Sequence, residues 1–257
     1  MAGNSATIIS VIALVFSFGT TFVSYRRTRA QDIQSLRQEL RGILQRLTAI
    51  PREVLDANKR YMADQAAVAG VSRIYNQENS LLVRQAAEIV TKLPKNMVSA
   101  TEYSEIALAQ QNSYNLAEAK AFLKLAIESA TNFNDEIGPV RMTANLSFIT
   151  GEPQAGRIKY QEALNIFAKY PGYDMFTKVS THVNTEIMWG QSEAGIGEFA
   201  SALQHLDNAQ KLVETLPFSP GAQSLMSQIA EPRALFERSR TSNIMGTVMP
   251  LSSTPLK

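Results

Sequence analysis

Cysteine is absent from this 257-residue sequence, and histidine occurs only twice. The absence of cysteine excludes disulfide bonds, thiolate metal sites and a cysteine nucleophile. The two histidines, His182 and His205, are too far apart in sequence to form a local ligand pair, so a histidine-rich metal site is excluded as well. An excess of charge of one sign is also lacking, because 25 basic residues balance 23 acidic ones to a net charge of +2. That balance gives no reason to expect nucleic acid as a partner.

Motifs of catalysis and phosphate binding are missing too. The sequence contains no GxSxG, HExxH, Walker-type or dinucleotide-binding glycine pattern. His182 and Glu186 lie four residues apart and could form an acid–base pair on one helix face, but a pair on a helix surface is the commoner arrangement and no nucleophile accompanies it. We therefore expect no enzyme activity, no metal and no cofactor.

One long stretch, residues 6–25, has no charged side chain and reads ATIISVIALVFSFGTTFVSY. A helix of about 20 apolar residues matches the thickness of the hydrocarbon core of a bilayer. A cleaved signal peptide would begin with basic residues, which residues 1–5 do not contain, and a buried core helix is the other alternative. The sequence predicts a short N-terminal tail over residues 1–5 and a transmembrane helix over residues 6–25.

The residues that flank this stretch predict its orientation. Arg26, Arg27 and Arg29 all follow it, whereas no basic residue precedes it. Basic residues concentrate on the cytoplasmic side of a membrane. We therefore expect a single-pass membrane protein that contacts the lipid bilayer and has a cytoplasmic body.

A heptad pattern follows the arginines. Its apolar residues alternate in steps of three and four over three heptads, which is typical of a coiled coil. We expect a coiled-coil neck over residues 30–57 that makes the chain a homo-oligomer. The alternative is that the same apolar stripe packs on the chain's own C-terminal domain. Pro51 is expected to end or kink this helix. The residues assigned to oligomerisation are Ile33, Leu36, Leu40, Ile43, Leu47 and Ile50.

The rest of the chain predicts an all-α fold. Amphipathic segments alternate with short breaks rich in proline, glycine and asparagine, and no stretch has the two-residue alternation of a β-hairpin. We assign residues 58–240 to one helical domain. Residues 241–257 lack periodicity and are expected to form a flexible tail.

Three segments of this domain repeat one pattern. They are NLAEAKAFLKLAIESA (115–130), EPQAGRIKYQEALNIF (152–167) and GEFASALQHLDNAQKL (197–212). In each, a small residue is followed by a bulky residue and then by an alanine, and a further small residue lies twelve positions earlier. Small residues at such points let two antiparallel helices approach closely. The six small residues are Ala107, Ala119, Ala144, Gly156, Gly190 and Ala202.

This pattern resembles the tetratricopeptide repeat family over about residues 100–216. The closing alanines, Ala126, Ala163 and Ala209, lie 37 and then 46 residues apart, against about 34 in the family. An irregular helical bundle with alanine-rich packing is the alternative. The resemblance implies an antiparallel helical-hairpin solenoid whose concave inner face binds proteins or peptides.

The resemblance also implies which side chains line the concave face. Arg141 and Asn145 resemble half of the family's clamp for a peptide C-terminal carboxylate, but the neighbouring helices do not complete the clamp. The candidate protein-binding residues are Arg141, Asn145, Thr101, Gln111, Asn184 and Gln191.

These expectations combine into a membrane-anchored, oligomeric scaffold or adaptor that binds a protein partner at the membrane surface. One alternative is a structural or effector subunit of a membrane complex, assembled through the transmembrane and coiled-coil segments. The other is an exported chaperone for envelope assembly.

Overall fold

The computed structural model describes the backbone of residues 3–247 and the side chains of residues 24–240. Within residues 3–247 the chain folds as α-helices joined by short turns and contains no strand, which confirms the predicted all-α class. A short 3₁₀ turn occupies Lys95–Met97. The helices are α1 (Gly3–Arg60), α2 (Gln65–Lys92), α3 (Ala100–Asn112), α4 (Leu116–Ser129), α5 (Phe133–Ile149), α6 (Pro153–Leu164), α7 (Ile166–Lys169), α8 (Met175–Gly195), α9 (Phe199–Glu214) and α10 (Pro220–Thr247).

The transmembrane prediction needs correction. Among the residues that the structure describes, no helix combines the length and the apolar character that crossing a bilayer requires. This finding contradicts the predicted transmembrane helix at residues 6–25. It also contradicts the prediction of a single-pass membrane protein with a cytoplasmic body. The side chains of residues 6–23 lie outside the described part. From Ser24 onward, where its side chains are described, α1 is amphipathic. Its buried positions are apolar, and most of its exposed positions are polar.

The chain divides into two compact units, of which unit 1 comprises residues 1–98 and 108–113. In its described part α1 packs against α2, which follows after a four-residue turn, so the two helices run antiparallel. The predicted neck, residues 30–57, is therefore part of a helical hairpin, and α1 continues past Pro51 to Arg60 instead of ending there. The buried apolar residues of α1 are Leu40, Ile43, Leu44, Leu47 and Ile50.

The alternative for the heptad stripe was packing on the chain's own C-terminal domain. In the structure α1 packs on α2, and four of the six residues are buried. Ile33 and Leu36 are only half-buried. The hairpin is also joined by Arg46 of α1, whose guanidinium donates to both carboxylate oxygens of Glu78 on α2, at 2.6 and 3.0 Å. The role of the six residues in self-association stays a prediction.

Unit 2 comprises residues 99–107 and 114–257, and its helices pack mainly against their neighbours in sequence. The predicted small residues lie at the contacts between paired helices. A Cβ atom on Gly156 would lie 2.8 Å from the carbonyl oxygen of Ala144, and one on Gly190 would lie 3.0 Å from that of Ala202. The paired helices thus touch through their backbones, as the spacing predicted, and the fold is repeat-like.

The irregular spacing of the repeats has a local cause. After α6 the chain turns at Asn165 into the single turn α7, and a loop then leads to α8. This insertion lengthens the interval between the second and third closing alanines. Phe167 of α7 stacks on Phe133 of α5, with ring centroids 4.7 Å apart, so the insertion packs on the preceding pair.

Side-chain caps determine where several helices begin. Asp64, Asn132 and Asp174 each accept a hydrogen bond from the backbone N–H three residues later, at 3.0 to 3.1 Å. Each cap satisfies one N–H group that the first helical turn leaves without an intrahelical partner. These residues fix the first turns of α2, α5 and α8.

We expect Gly156→Ala to lower the free energy of unfolding by roughly 1–3 kcal/mol, because its methyl group would overlap the Phe148 ring and the Ala144 carbonyl. Gly70→Ala is the matched control. Gly70 lies inside α2 with open space around it, so alanine there should raise stability by about 0.5–1 kcal/mol. Chemical denaturation of both variants checks this. Equal effects at the two positions would contradict the close contact at Gly156.

Candidate binding groove

A groove of about 570 Å³ runs along unit 2 between α8 and α10, and Arg141 of α5 contributes to its lining. We call it the α8–α10 groove. Its volume lies within the roughly 300–1,000 Å³ that is usual for ligand pockets. Its lining residues are Arg141, Asn184, Ile187, Met188, Gln191, Gln228, Glu231, Pro232, Leu235 and Phe236.

Each long wall of the groove is one face of a helix. The α8 wall uses residues 184, 187, 188 and 191, and the α10 wall uses residues 228, 231, 232 and 235. Both sets follow the i, i+3, i+4, i+7 spacing that places side chains in one stripe along a helix. The two stripes combine side-chain amides with apolar groups, and Leu235 is 60% exposed.

Arg141 enters the groove from α5 and is held by neutral groups of α8. Its Nε atom donates to the Thr185 hydroxyl at 2.8 Å, and one Nη atom donates to the Thr181 carbonyl. In the part of the chain that the structure describes, no carboxylate forms an ion pair with Arg141. The Arg141 side chain is half-buried.

This setting is unfavourable for a positive charge. Burial lowers the pKa of Arg141 to about 10, because the desolvated guanidinium is not compensated by a nearby anion. Hydroxyl and carbonyl dipoles satisfy two of its five N–H donors without neutralising it. Glu231 also lines the groove but forms no ion pair with Arg141, so an anionic group of a bound partner beside the guanidinium would supply the missing charge.

The structure brings three of the six predicted binding residues together. Arg141, Asn184 and Gln191 line the groove. Thr101, exposed in the first turn of α3, and Gln111, in the last turn of that helix, are not among the residues that line it. Whether any of them contacts a partner stays a prediction.

Asn145 is also absent from the lining and faces a buried polar cluster instead. Its Oδ1 atom accepts from the Ser192 hydroxyl at 3.3 Å, and that hydroxyl lies 2.8 Å from the hydroxyl of Tyr160. Tyr160 is fully buried, and burial raises its pKa to about 12. Asn145 therefore contributes to the contact between α5 and α8.

Sequence reasoning missed the α10 wall. In the structure α10 continues through Pro232, and one stripe of its residues faces α8. The spacing of Gln228, Glu231 and Leu235 was a usable signal, because these residues share one helix face. The sequence alone did not indicate which helix that face would meet.

The opposite face of α8 buries a carboxylate. The Glu193 side chain is only 2% exposed and accepts two hydrogen bonds from Arg157 of α6, at 2.8 and 2.7 Å. The Trp189 indole N–H also donates to Glu193, at 2.9 Å. Burial alone would raise the pKa of Glu193, but the hydrogen bonds from Arg157 and Trp189 outweigh it, so the pKa lies below its ordinary value.

A second buried carboxylate joins α8 to α9. Oε2 of Glu186 lies 2.6 Å from Nδ1 of His205, and the His205 ring stacks on Trp189 with centroids 4.2 Å apart. Together with the contacts of Glu193, these interactions hold α8 from both neighbouring helices. The α8 wall of the groove is therefore one face of a firmly packed helix.

The sequence-suggested acid–base pair of His182 and Glu186 has a different arrangement. Glu186 bonds to His205, whereas Nε2 of His182 is buried without a hydrogen-bond partner among the described residues. Burial lowers the pKa of His182, and the hydrogen bond with the Leu164 backbone offsets this only in part. The described residues also contain no cluster of acidic and histidine side chains that could hold a metal ion.

Comparisons with known proteins add little to this geometry. No family model matches the chain, and no curated protein matches its sequence. Among solved structures, the crystal structure of BtubC (BKLC) from P. vanneervenii is similar at 12% identity and a TM-score of 0.42. The match covers 83% of this chain and 97% of that one. A likeness at this score carries no argument about function.

We expect Arg141→Met to keep or raise the free energy of unfolding, by up to about 2 kcal/mol, because it removes a desolvated charge that has no counter-ion. The Thr185 hydroxyl also donates to the Thr181 carbonyl, so both groups keep a partner in the variant. Chemical denaturation measures the difference. A loss of more than about 1 kcal/mol, the worth of a typical hydrogen bond, would identify Arg141 as a residue that stabilises the fold.

We expect His182 to make the protein less stable in mild acid. The unfolded chain binds a proton at His182 near pH 6.5, whereas the folded chain resists protonation until a lower pH because the pKa of His182 is lowered. The free energy of unfolding should therefore fall as the pH drops below about 6.5. His182→Gln should make this fall shallower in denaturation series across that range. If the free energy of unfolding falls equally with pH in the wild type and in His182→Gln, His182 is not the cause of the lower stability in acid.

Proposed function

We propose that this protein is a helical-repeat scaffold or adaptor, and that its α8–α10 groove binds an extended segment of a protein partner carrying an acidic group. The observation that carries the proposal is Arg141, a desolvated cation without an ion pair among the described residues, in the lining of an amide-rich and partly apolar groove.

The amide groups support recognition of a peptide main chain. Asn184, Gln191 and Gln228 each offer both a donor and an acceptor, as a peptide group does. Asn184 and Gln191 are seven residues apart on α8, which corresponds to about 10 Å along the helix. An extended peptide covers that distance with about three residues.

The apolar groups support a contact with one non-polar side chain of the same segment. Ile187 and Phe236 are buried at the groove, while Leu235 is largely exposed and has apolar surface left to cover. Burial of such surface contributes about 25 cal/mol per Å². A peptide with an acidic residue and a nearby apolar residue fits this combination.

The α8–α10 groove offers positioning groups but little that could carry out a reaction. Its lining includes one cation, one carboxylate (Glu231) and amides, with no serine, threonine, histidine or lysine. Such a surface is suited to binding a segment of a partner, which is how helical-repeat surfaces are commonly used.

Matched peptides test the proposal. The full chain is titrated with a set of extended octapeptides, each made in two forms that differ only by aspartate or asparagine at one position. We expect at least one aspartate form to bind about tenfold more tightly than its asparagine partner, since a hydrogen bond to a charged group is worth roughly 1.5–3 kcal/mol. Isothermal titration calorimetry measures both affinities.

Two variants separate charge recognition from a general charge effect. Arg141→Met should remove the preference for aspartate, whereas Arg84→Met, which removes an exposed arginine of α2 outside the groove, should retain it. Gln191→Ala should weaken both peptide forms to a similar degree. Failure of every peptide to bind, or a preference that survives Arg141→Met, would contradict the proposed role of the groove.

A further inference from the structure

The turn between α9 and α10 displays an aromatic side chain. Phe218 is 88% exposed and lies between Pro217 and Pro220. The prolines restrict the backbone on both sides, and the Ser219 hydroxyl accepts a hydrogen bond from the Ala222 N–H at the start of α10. Phe218 is therefore presented by a turn with little freedom, which lowers the entropy cost of burying it against a partner.

An apolar pocket of about 380 Å³ adjoins Phe218 at this end of unit 2. Val213 and Ala222 are buried there, and Met226 is 38% exposed. The pocket has room for a large apolar side chain. We call the turn and the pocket together the α9–α10 patch, and its lining residues are Val213, Glu214, Leu216, Phe218, Ala222, Gln223 and Met226.

The patch also has a charge of each sign. Lys211 and Glu214 are exposed on α9, and Glu214 lines the pocket. Residues three positions apart lie on the same helix face. When two copies of α9 lie antiparallel across a twofold axis, Lys211 of each copy comes opposite Glu214 of the other.

We propose that the α9–α10 patch binds a second copy of this chain in a twofold-symmetric dimer. A twofold interface requires one surface that is complementary to itself. The patch meets this requirement in two ways, because it places an exposed aromatic beside an apolar pocket and a cation beside an anion. The two Lys211–Glu214 pairs then lie next to the twofold axis, and on either side of them Phe218 of one chain fills the pocket of the other.

A charge exchange tests the twofold pairing in particular. In the Lys211→Glu variant the four charges that face one another in a dimer are all acidic, and in the Glu214→Lys variant they are all basic, so each variant alone should dimerise less than the wild type. A mixture of the two variants should form a heterodimer, because every facing pair is then opposite in sign. Light scattering after size-exclusion chromatography of the full chain, from micromolar to submillimolar concentration, measures the masses.

The aromatic contact is tested separately. Phe218→Ser should raise the dimer dissociation constant about tenfold or more, as expected for an aromatic side chain that fills a pocket of the partner. Ile158→Ser is the matched control, since Ile158 is an exposed apolar residue of α6 outside the patch. Circular dichroism confirms that both variants stay helical.

Three results would overturn the proposal: a wild-type chain that stays monomeric throughout, a dimer that Phe218→Ser leaves unchanged, or a mixture of charge variants that does not pair. The test does not depend on peptide binding in the α8–α10 groove, because the residues changed line only the α9–α10 patch or its edge.

Discussion

Backbone contact between paired helices is the constraint on which unit 2 depends. Gly156 lies against the Ala144 carbonyl, and Gly190 lies against the Ala202 carbonyl, with no room for a larger side chain at the first position and little at the second. Such close approach brings larger side chains on the same helices into contact, so that Tyr160 of α6 is completely buried against residues of α5 and α8. The bulky residues of the pattern can be core residues because the small ones bring the helices together.

Helix α8 contributes both to the core of unit 2 and to the wall of the α8–α10 groove. One of its faces buries Glu186 and Glu193, and each carboxylate is satisfied by a side chain from another helix. The other face lines the α8–α10 groove. A buried carboxylate is costly unless it is bonded, so the contacts with Arg157 and His205 restrict the positions that α8 can take. The shape of the groove is therefore determined partly by interactions on the far side of its wall.

Arg141 differs from the other buried charges of unit 2. Glu136, Glu186 and Glu193 all have a charged or titratable partner, whereas within residues 24–240 Arg141 donates its hydrogen bonds to a hydroxyl and a carbonyl. A fold selected for stability alone has no need of a desolvated cation at the edge of a groove. This contrast supports a role for Arg141 in binding, and it is the strongest physical argument for assigning the groove to recognition.

Local sequence determined which segments are helical and which of them pair. Caps such as Asp174, breakers such as Pro171 and the spacing of Ala144 and Gly156 act within one or two helices, so they could be recognised without the fold. The heptad stripe of α1 was equally visible, but the sequence left open whether it meets a second chain or the chain's own C-terminal domain. The expectation of a transmembrane helix rested on the length of one uncharged apolar stretch, and no helix of the described residues meets that requirement.

Only the tertiary structure decided what each helix face meets. It placed Asn145 in a buried cluster, joined Arg141 to Thr185 of α8 and turned α10 into a groove wall. These contacts join residues 40 or more positions apart in the chain, such as Arg141 and Thr185 with a separation of 44. Helix periodicity specifies a face, but the partner of that face depends on how several helices pack together, and that information is not contained in any one segment.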